Sequence, residues 1–473
     1  MRFLPCSRQQ LLRSLCLLLA AGTAPVRADS APAPAAEVEA VRAELAALRA
    51  EYEARLAALE ARLAGLEQPP APTAESVAAA AEAAPPEPPP PAPAAPLTIA
   101  SGAGGRNFLN LSLDGLFAVG GSTTPEIEAL EPGGHDPAQR GFTVQNVEVV
   151  LDGAVDPYLR GQANVVLQLT PEGETVVELE EAYVTTSSLP AGLQLKAGQF
   201  LTEFGRLNAS HPHSWDFVDQ PLVNARFFGP DGLRSAGARL SWLLPTSFYS
   251  EAFLAVQNSG GETLHSFRSV AGESLFGREI EKRKVSGVDD LLYVPRYAAS
   301  FDLTDEQTLL VGASAALGPN GSGDGARTAI YGLDGFWKWK SPSAFQGFPF
   351  FKVQGELMQR EYELAERADA GLAAADLRDW GGYLQLNWGY RPGRVLGLRY
   401  DRVGGDTGAP GDPGDPGPGS RWRLSPAFTW FPSEYSKLRL QYNFDRGDEF
   451  TGDEHSLWLQ LEFLLGAHSA HKF

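Results

Sequence analysis

The stretch His455–Phe473 reads HSLWLQLEFLLGAHSAHKF. Leu457, Leu459, Leu461, Phe463 and Leu465 share one parity, and Ser456, Trp458, Gln460 and Glu462 the other. Successive side chains of an extended strand point to opposite faces, so this strand has one apolar and one polar side. Phe473, the final residue, keeps the parity of the leucines. Such a strand suits a half-buried edge of a soluble sandwich, or a barrel whose apolar face meets lipid. The rest of the chain decides between them.

Upstream, the same period of two recurs. Sixteen segments carry it: about 108–119, 142–153, 158–169, 174–187, 193–200, 236–244, 248–257, 293–303, 307–316, 328–339, 348–360, 381–390, 394–402, 422–431, 436–445 and 456–465. Leu438, Leu440, Tyr442 and Phe444, for instance, alternate with Lys437, Arg439, Gln441 and Asn443. Segments of about ten residues with this pattern match a tilted strand crossing a bilayer. The connections sort as well. Those after even-numbered segments are short (AVDP, SLPAG, PTS, TDE, SPSAFQG, RPG, PSEY), while most after odd-numbered ones are long, including 120–141, 201–235, 258–292, 361–380 and 403–421. A soluble sandwich has no reason to sort its loops; a barrel with periplasmic turns on one side and outer loops on the other does. The expected fold is therefore all-β, a sixteen-stranded antiparallel transmembrane barrel over 98–473. Trp337, Trp339, Trp422 and Trp430 lie on the outward parity near strand ends, where interfacial aromatics collect.

The chain begins with Arg2, Arg8 and Arg13, an apolar run Leu15–Ala21, and Val26-Arg27-Ala28, which together read as a signal peptide over 1–28. Both cysteines, Cys6 and Cys16, fall inside it, so the expected mature chain has neither disulfides nor thiolate metal sites. The formal charge is −19, and removing that segment's four arginines leaves about −23, which argues against nucleic-acid binding.

Between signal and barrel lie two further segments. Val38, Val41, Leu45, Leu48, Tyr52, Leu56, Leu59, Leu63 and Leu66 follow a heptad pattern with one stutter, predicting an α-helical coiled coil over 37–67. A stripe this narrow needs a partner helix, hence an oligomer. Residues 68–97 are rich in Ala and Pro, including PPEPPPPAPAAP, and read as an extended spacer.

The polar parity of the strands supplies the expected lumen wall. Arg399, Arg423, Lys437 and Arg439, from consecutive strands, form a basic ladder that Glu178 and Glu180 could face, with Lys196 and Arg239 elsewhere on the wall. Charges of both signs would hold water, and opposing rows would strengthen the field across a constriction. Loop 201–235 is unusually apolar, with Trp215, Phe217, Phe227 and Phe228, and is expected to fold into the barrel. Its charged residues Arg206, His211, His213, Asp216, Asp219, Arg226 and Arg234 are the candidate constriction. His211 and His213 with Asp216 and Asp219, and the pair His468 and His471, are weaker candidates for metal ligands. No cofactor or catalytic motif is present, neither G-x-S-x-G nor H-E-x-x-H nor a P-loop, so no enzyme is expected.

The phrases AVDPYLRGQANVVLQL, EEAYVTTSSLPAGLQLKAGQFLTEFGRLNASHPHSWDFVDQPL, YGLDGFWKWK, FPSEYSKLRLQYNF and WLQLEFLLGAHSAHKF resemble a family of proteobacterial outer-membrane proteins sometimes labelled zinc-regulated outer-membrane receptors. The layout is similar to that of phosphate-selective porins, and the helical segment ahead of the barrel to the periplasmic extension of trimeric sugar porins. The resemblance implies an outer-membrane barrel embedded in lipid, placed by the barrel assembly machinery, homotrimeric, with its stalk in the periplasm. The expected function is diffusion of small hydrophilic solutes or ions. A zinc-linked uptake receptor and a structural envelope tether are the alternatives; no TonB box is evident, and a plug plus about twenty-two strands would not fit.

Overall fold

The computed structural model describes residues 97–102, 107–170, 172–276, 278–282, 284–368, 371–406 and 419–466. The expected signal peptide, coiled coil and spacer, apart from Leu97, which the structure places in a strand, lie outside them, as do His468 and His471.

Sixteen antiparallel strands form a ring. They are β1 (Phe108–Ser122), β2 (Gly141–Ala154), β3 (Leu159–Leu169), β4 (Thr175–Thr186), β5 (Leu193–Leu201), β6 (Arg234–Leu243), β7 (Tyr249–Asn258), β8 (Leu291–Thr304), β9 (Gln307–Pro319), β10 (Arg327–Phe345), β11 (Phe348–Leu364), β12 (Ala375–Arg391), β13 (Arg394–Gly405), β14 (Arg421–Ser433), β15 (Ser436–Gly447) and β16 (Glu454–Leu465). Each pairs with its neighbours in sequence, and β16 closes the ring on β1. Every strand expected from the sequence is present. A further short strand, Leu97–Ser101, pairs with β1.

The seam shows why alternation closes the barrel. Leu457, Leu459, Leu461, Phe463 and Leu465 are exposed on the outside, while Ser456, Trp458, Gln460 and Glu462 are buried inside. Phe463 pairs with Gly115 and stacks on Phe117 at 5.9 Å between ring centroids. A Cβ at Gly115 would come within 2.5 Å of the Phe463 ring, so this position has to be small. Leu240, Leu254, Leu333, Leu357, Leu384 and Leu398 continue the exposed apolar surface around the ring. Among the described residues no helix is long and apolar enough to cross a membrane.

Turn lengths sort as the sequence requires, with one adjustment. The connection SPSAFQG is mostly strand, because β10 runs on to Phe345 and only Gln346 and Gly347 turn. Both have positive φ, 49° and 83°, the backbone of a two-residue hairpin whose twist matches its strands.

The interior departs from a water-filled tube. Toward the long-loop ends, inward positions are apolar: Leu292, Val294, Ala316, Ile330 and Met358. They pack with Phe204, Leu222, Val223, Phe227, Phe228, Leu264 and Phe267 from the loops after β5 and β7, forming a hydrophobic core inside the barrel. A second cluster joins Leu275, Phe276 and Ile280 to Tyr362, Leu364 and Leu377. Burial of apolar loop surface, at roughly 25 cal/mol per Å², is what draws these loops inward.

Candidate functional site, a loop strapped across the lumen

Residues 202–233, between β5 and β6, leave the wall and cross the barrel interior. Asn208 ties the two ends together, donating to the carbonyls of Thr202 (2.8 Å) and Leu233 (2.9 Å) and accepting from the Leu233 amide (2.8 Å). The entry turn needs a glycine. Gly205 has φ +60°, and a Cβ there would lie 2.0 Å from Glu356 Oε2. Glu356 Oε1 accepts from the amides of Arg206 (3.1 Å) and Leu207 (2.8 Å) and from the Tyr383 hydroxyl (2.8 Å). Arg206 donates to Gln354 at 3.1 Å and lies over the Phe336 ring.

The basic ladder exists, but it grips the loop. Arg439 donates to the carbonyls of Trp215 (2.8 Å) and Phe217 (2.9 Å), and Lys437 to that of His213 (2.9 Å). Arg399 pairs with Asp219 (2.8 Å) and Asp401 (2.7 Å). Arg423 pairs with Asp219, Asp445 (2.9 Å) and Glu131 (2.6 Å). Burial alone would raise the Asp219 carboxyl, but Arg399 and Arg423 outweigh it and hold it below the usual range. Glu131, from the loop after β1, is pushed up to about 7 by burial, against the pull of Arg423. These four cations are buried, so the expected open row facing Glu178 and Glu180 across water is not what the wall presents. Glu178 instead pairs with Arg234.

Further round the ring, past the β16–β1 seam, the loop meets carboxylates. Glu148 stands on β2. A bulge where β4 pairs with β3 leaves Glu180 opposite no single residue, and Glu180 and Glu181 both point inward and are buried. His211 Nδ1 lies 2.9 Å from Glu180 and 3.3 Å from Glu148, while Nε2 lies 3.0 Å from Glu181. His213 Nδ1 is 3.3 Å from the other Glu148 oxygen, and the two imidazoles stack at 5.7 Å. Burial disfavours a charged His211 ring, but Glu148 and Glu180 outweigh it and raise it well above the ordinary imidazole value.

The sequence candidates therefore separate. His211 and His213 come together, but Asp216 and Asp219 are not with them: Asp216 accepts from Lys352 (2.6 Å), Gln385 (3.0 Å) and Asn387 (3.2 Å), and Asp219 from Arg399 and Arg423. Proline between the histidines starts a short 3-10 turn that carries the chain away from them toward the far wall. Arg226 and Arg234 are buried in ion pairs, Arg226 with Asp379 at 2.9 Å. Lys196 and Arg239 converge on Glu203 (3.1 and 2.5 Å). Sequence reasoning missed Glu131, Glu148 as a partner of the histidines, and Glu181. Glu181 sits on the outward parity, and only the bulge turns it in.

No protein-family model matches the chain. Among solved structures it is similar to the outer-membrane channel DcaP of Acinetobacter baumannii (12% identity, TM-score 0.49, 78% of this chain and 100% of that one). It is also similar to OprB of Pseudomonas putida (11%, TM-score 0.47, 76% and 94%) and to an anion-selective porin of Comamonas acidovorans (10%, TM-score 0.45, 76% and 100%). An uncharacterized protein of Aquifex aeolicus (strain VF5) is 30% identical over 393 residues, covering 77% of this chain and 79% of that protein. Identity of that extent over most of both chains places this protein in the same family as the Aquifex aeolicus protein.

Proposed function

We propose that the chain is a porin-like outer-membrane channel for small hydrophilic solutes or ions, with the loop 202–233 setting its aperture. The observation that carries the reading is a closed ring of sixteen strands, apolar outside and lined in large part by polar and charged groups within, whose lumen holds a strap bonded to β11–β15 and reaching β2 and β4. The apolar belt suits lipid, and a ring of this size leaves room for an aqueous path. The charges left half-buried beside the strap are Lys196, Glu203, Arg206, Asp216, Lys338 and Lys352. These are the groups a passing solute would meet. His211 and His213, also only partly covered, join them at the edge of the constriction.

Single-channel recording of the full-length protein in planar bilayers tests this. Ohmic conductance that changes when the strap is altered is expected; a correctly folded barrel that never conducts overturns the reading.

A further inference from the structure

We propose that His211, Glu148 and Glu180 bind a divalent first-row transition-metal ion that clamps the loop to the barrel wall, with His213 as an additional ligand. Donor atoms of the first three residues lie within 4.8 Å of one another. The individual separations are 2.9 Å from His211 Nδ1 to Glu180 and 3.3 Å from His211 Nδ1 to Glu148. A tetrahedral ion with bonds of about 2.0–2.1 Å spaces its donors about 3.3 Å apart. The two observed separations lie at or below that spacing.

Three further observations point to a cation. Glu180 Oε2 and His211 Nδ1 are buried and close, yet neither has a hydrogen-bond partner of acceptable alignment. Among the described residues, the only cationic side chains within ion-pair distance of Glu148, Glu180 and Glu181 are imidazoles, so three buried carboxylates share no lysine or arginine. Finally, His211 Nε2 is 3.0 Å from Glu181, which suits an N–H donated to that carboxylate. That leaves the Nδ1 lone pair for metal, the outer carboxylate arrangement that orients ligating histidines. His135 stands behind Glu180 at 3.5 Å, and a cavity of about 20 Å³ beside Glu180 has room for roughly one water or ion.

Imidazole with carboxylates and no thiolate suits Zn²⁺, Co²⁺ or Ni²⁺ better than Ca²⁺ or Mg²⁺, which take oxygen ligands. Because His211 and His213 belong to the loop while Glu148 belongs to β2 and Glu180 to β4, occupancy ties two wall strands to the strap. The site thus couples metal availability to the freedom of the loop.

The test uses the full-length protein, folded in detergent, stripped with chelator and titrated with Co²⁺. Expected is the visible absorption of four-coordinate Co²⁺ at one ion per chain, displaced by Zn²⁺. His211→Asn and Glu180→Gln should each lower Zn²⁺ affinity at least about tenfold, and the double variant His468→Ala/His471→Ala should keep it. Heat-modifiable gel migration verifies the fold of each variant. No Co²⁺ spectrum from the folded wild type overturns the proposal without any variant. A signal that survives both His211→Asn and Glu180→Gln, or one lost with His468 and His471, overturns it as well. Conductance is not read, so a barrel that fails to conduct leaves this test standing.

Discussion

Arg399 donates to both the main-chain carbonyl and the carboxylate of Asp219, each at 2.8 Å, joining β13 to the middle of a loop that begins at β5. Arg423 holds the second carboxylate oxygen, and Asn443 shares it at 3.0 Å. Two guanidiniums and one carboxylate, all buried, fasten the middle of the strap to β13 and β14. Asp219→Ala would leave Arg399 and Arg423 with one fewer counter-charge in a buried setting, a defect typically worth about 3–5 kcal/mol. The expected result is release of the loop with the ring of strands intact. Conductance should rise several-fold and become noisier, and added protease should cut within 202–233, while heat-modifiable migration stays normal. Unchanged conductance with an uncut loop would show that the apolar contacts hold it alone.

Glu131 should make the docking of the loop after β1, against the same Arg423, dependent on pH. Its carboxyl, on the loop after β1, shares Arg423 with Asp219, and burial pushes it from 4.5 up to about 7 against Arg423, with Asp219 and Asp445 adding to the rise. Below about pH 4.5 it is protonated whether the loop is docked or free. Between 4.5 and 7 the docked state binds a proton that the free loop lacks, so docking weakens as pH rises through this window. Above 7 the full penalty is present. Hydrogen exchange of residues 126–131, corrected for intrinsic rates, should show at least about tenfold less protection at pH 8 than at pH 5. Glu131→Gln should flatten that dependence.

How much of this was legible in sequence follows from what each signal reports. Alternation and loop length are local properties, and they located all sixteen strands because each strand must present one face to lipid. The apolar residues of loop 201–235 correctly announced that it folds inward. The filling of the lumen was also written in the sequence: Leu292, Val294, Ile330 and Met358 occupy the inward parity, where a wet wall would carry polar groups. Pairing the ladder residues with their partners was not legible, because Asp219 and Arg423 are 204 residues apart and meet only through the path of the loop. Glu181 was hidden for a different reason. A bulge breaks the period of two on which the inside and outside assignment rests.

Selectivity should follow the charges that the strap leaves partly uncovered. Lys338 and Lys352 are directly paired across β10 and β11, Lys196 lies on the same inner surface, and Glu203 and Asp216 are already engaged by cations. Lys338 has no carboxylate within ion-pair distance among the described residues and lies against Phe350. A modest anion preference is expected from reversal potentials in a salt gradient. Lys338→Glu should move the reversal potential toward cations without altering heat-modifiable migration. A wild-type channel that prefers cations would mean that these lysines do not set the selectivity.

The entry turn gives the most local prediction. Gly205 combines a positive φ with a position where a Cβ would collide with the Glu356 carboxylate, and that carboxylate is the acceptor for the next two amides. Gly205→Ala therefore strains the backbone and displaces the anchor at once, for a cost of about 1–3 kcal/mol. The strap should detach from its β11 side while Asp219 stays on Arg399 and Arg423, so the effect should be smaller than that of Asp219→Ala. Combining the two changes discriminates between one hinge and two independent fastenings. Independent fastenings give additive shifts in proteolysis rate, whereas a loop that is released as a unit shows little further change once either end is lost.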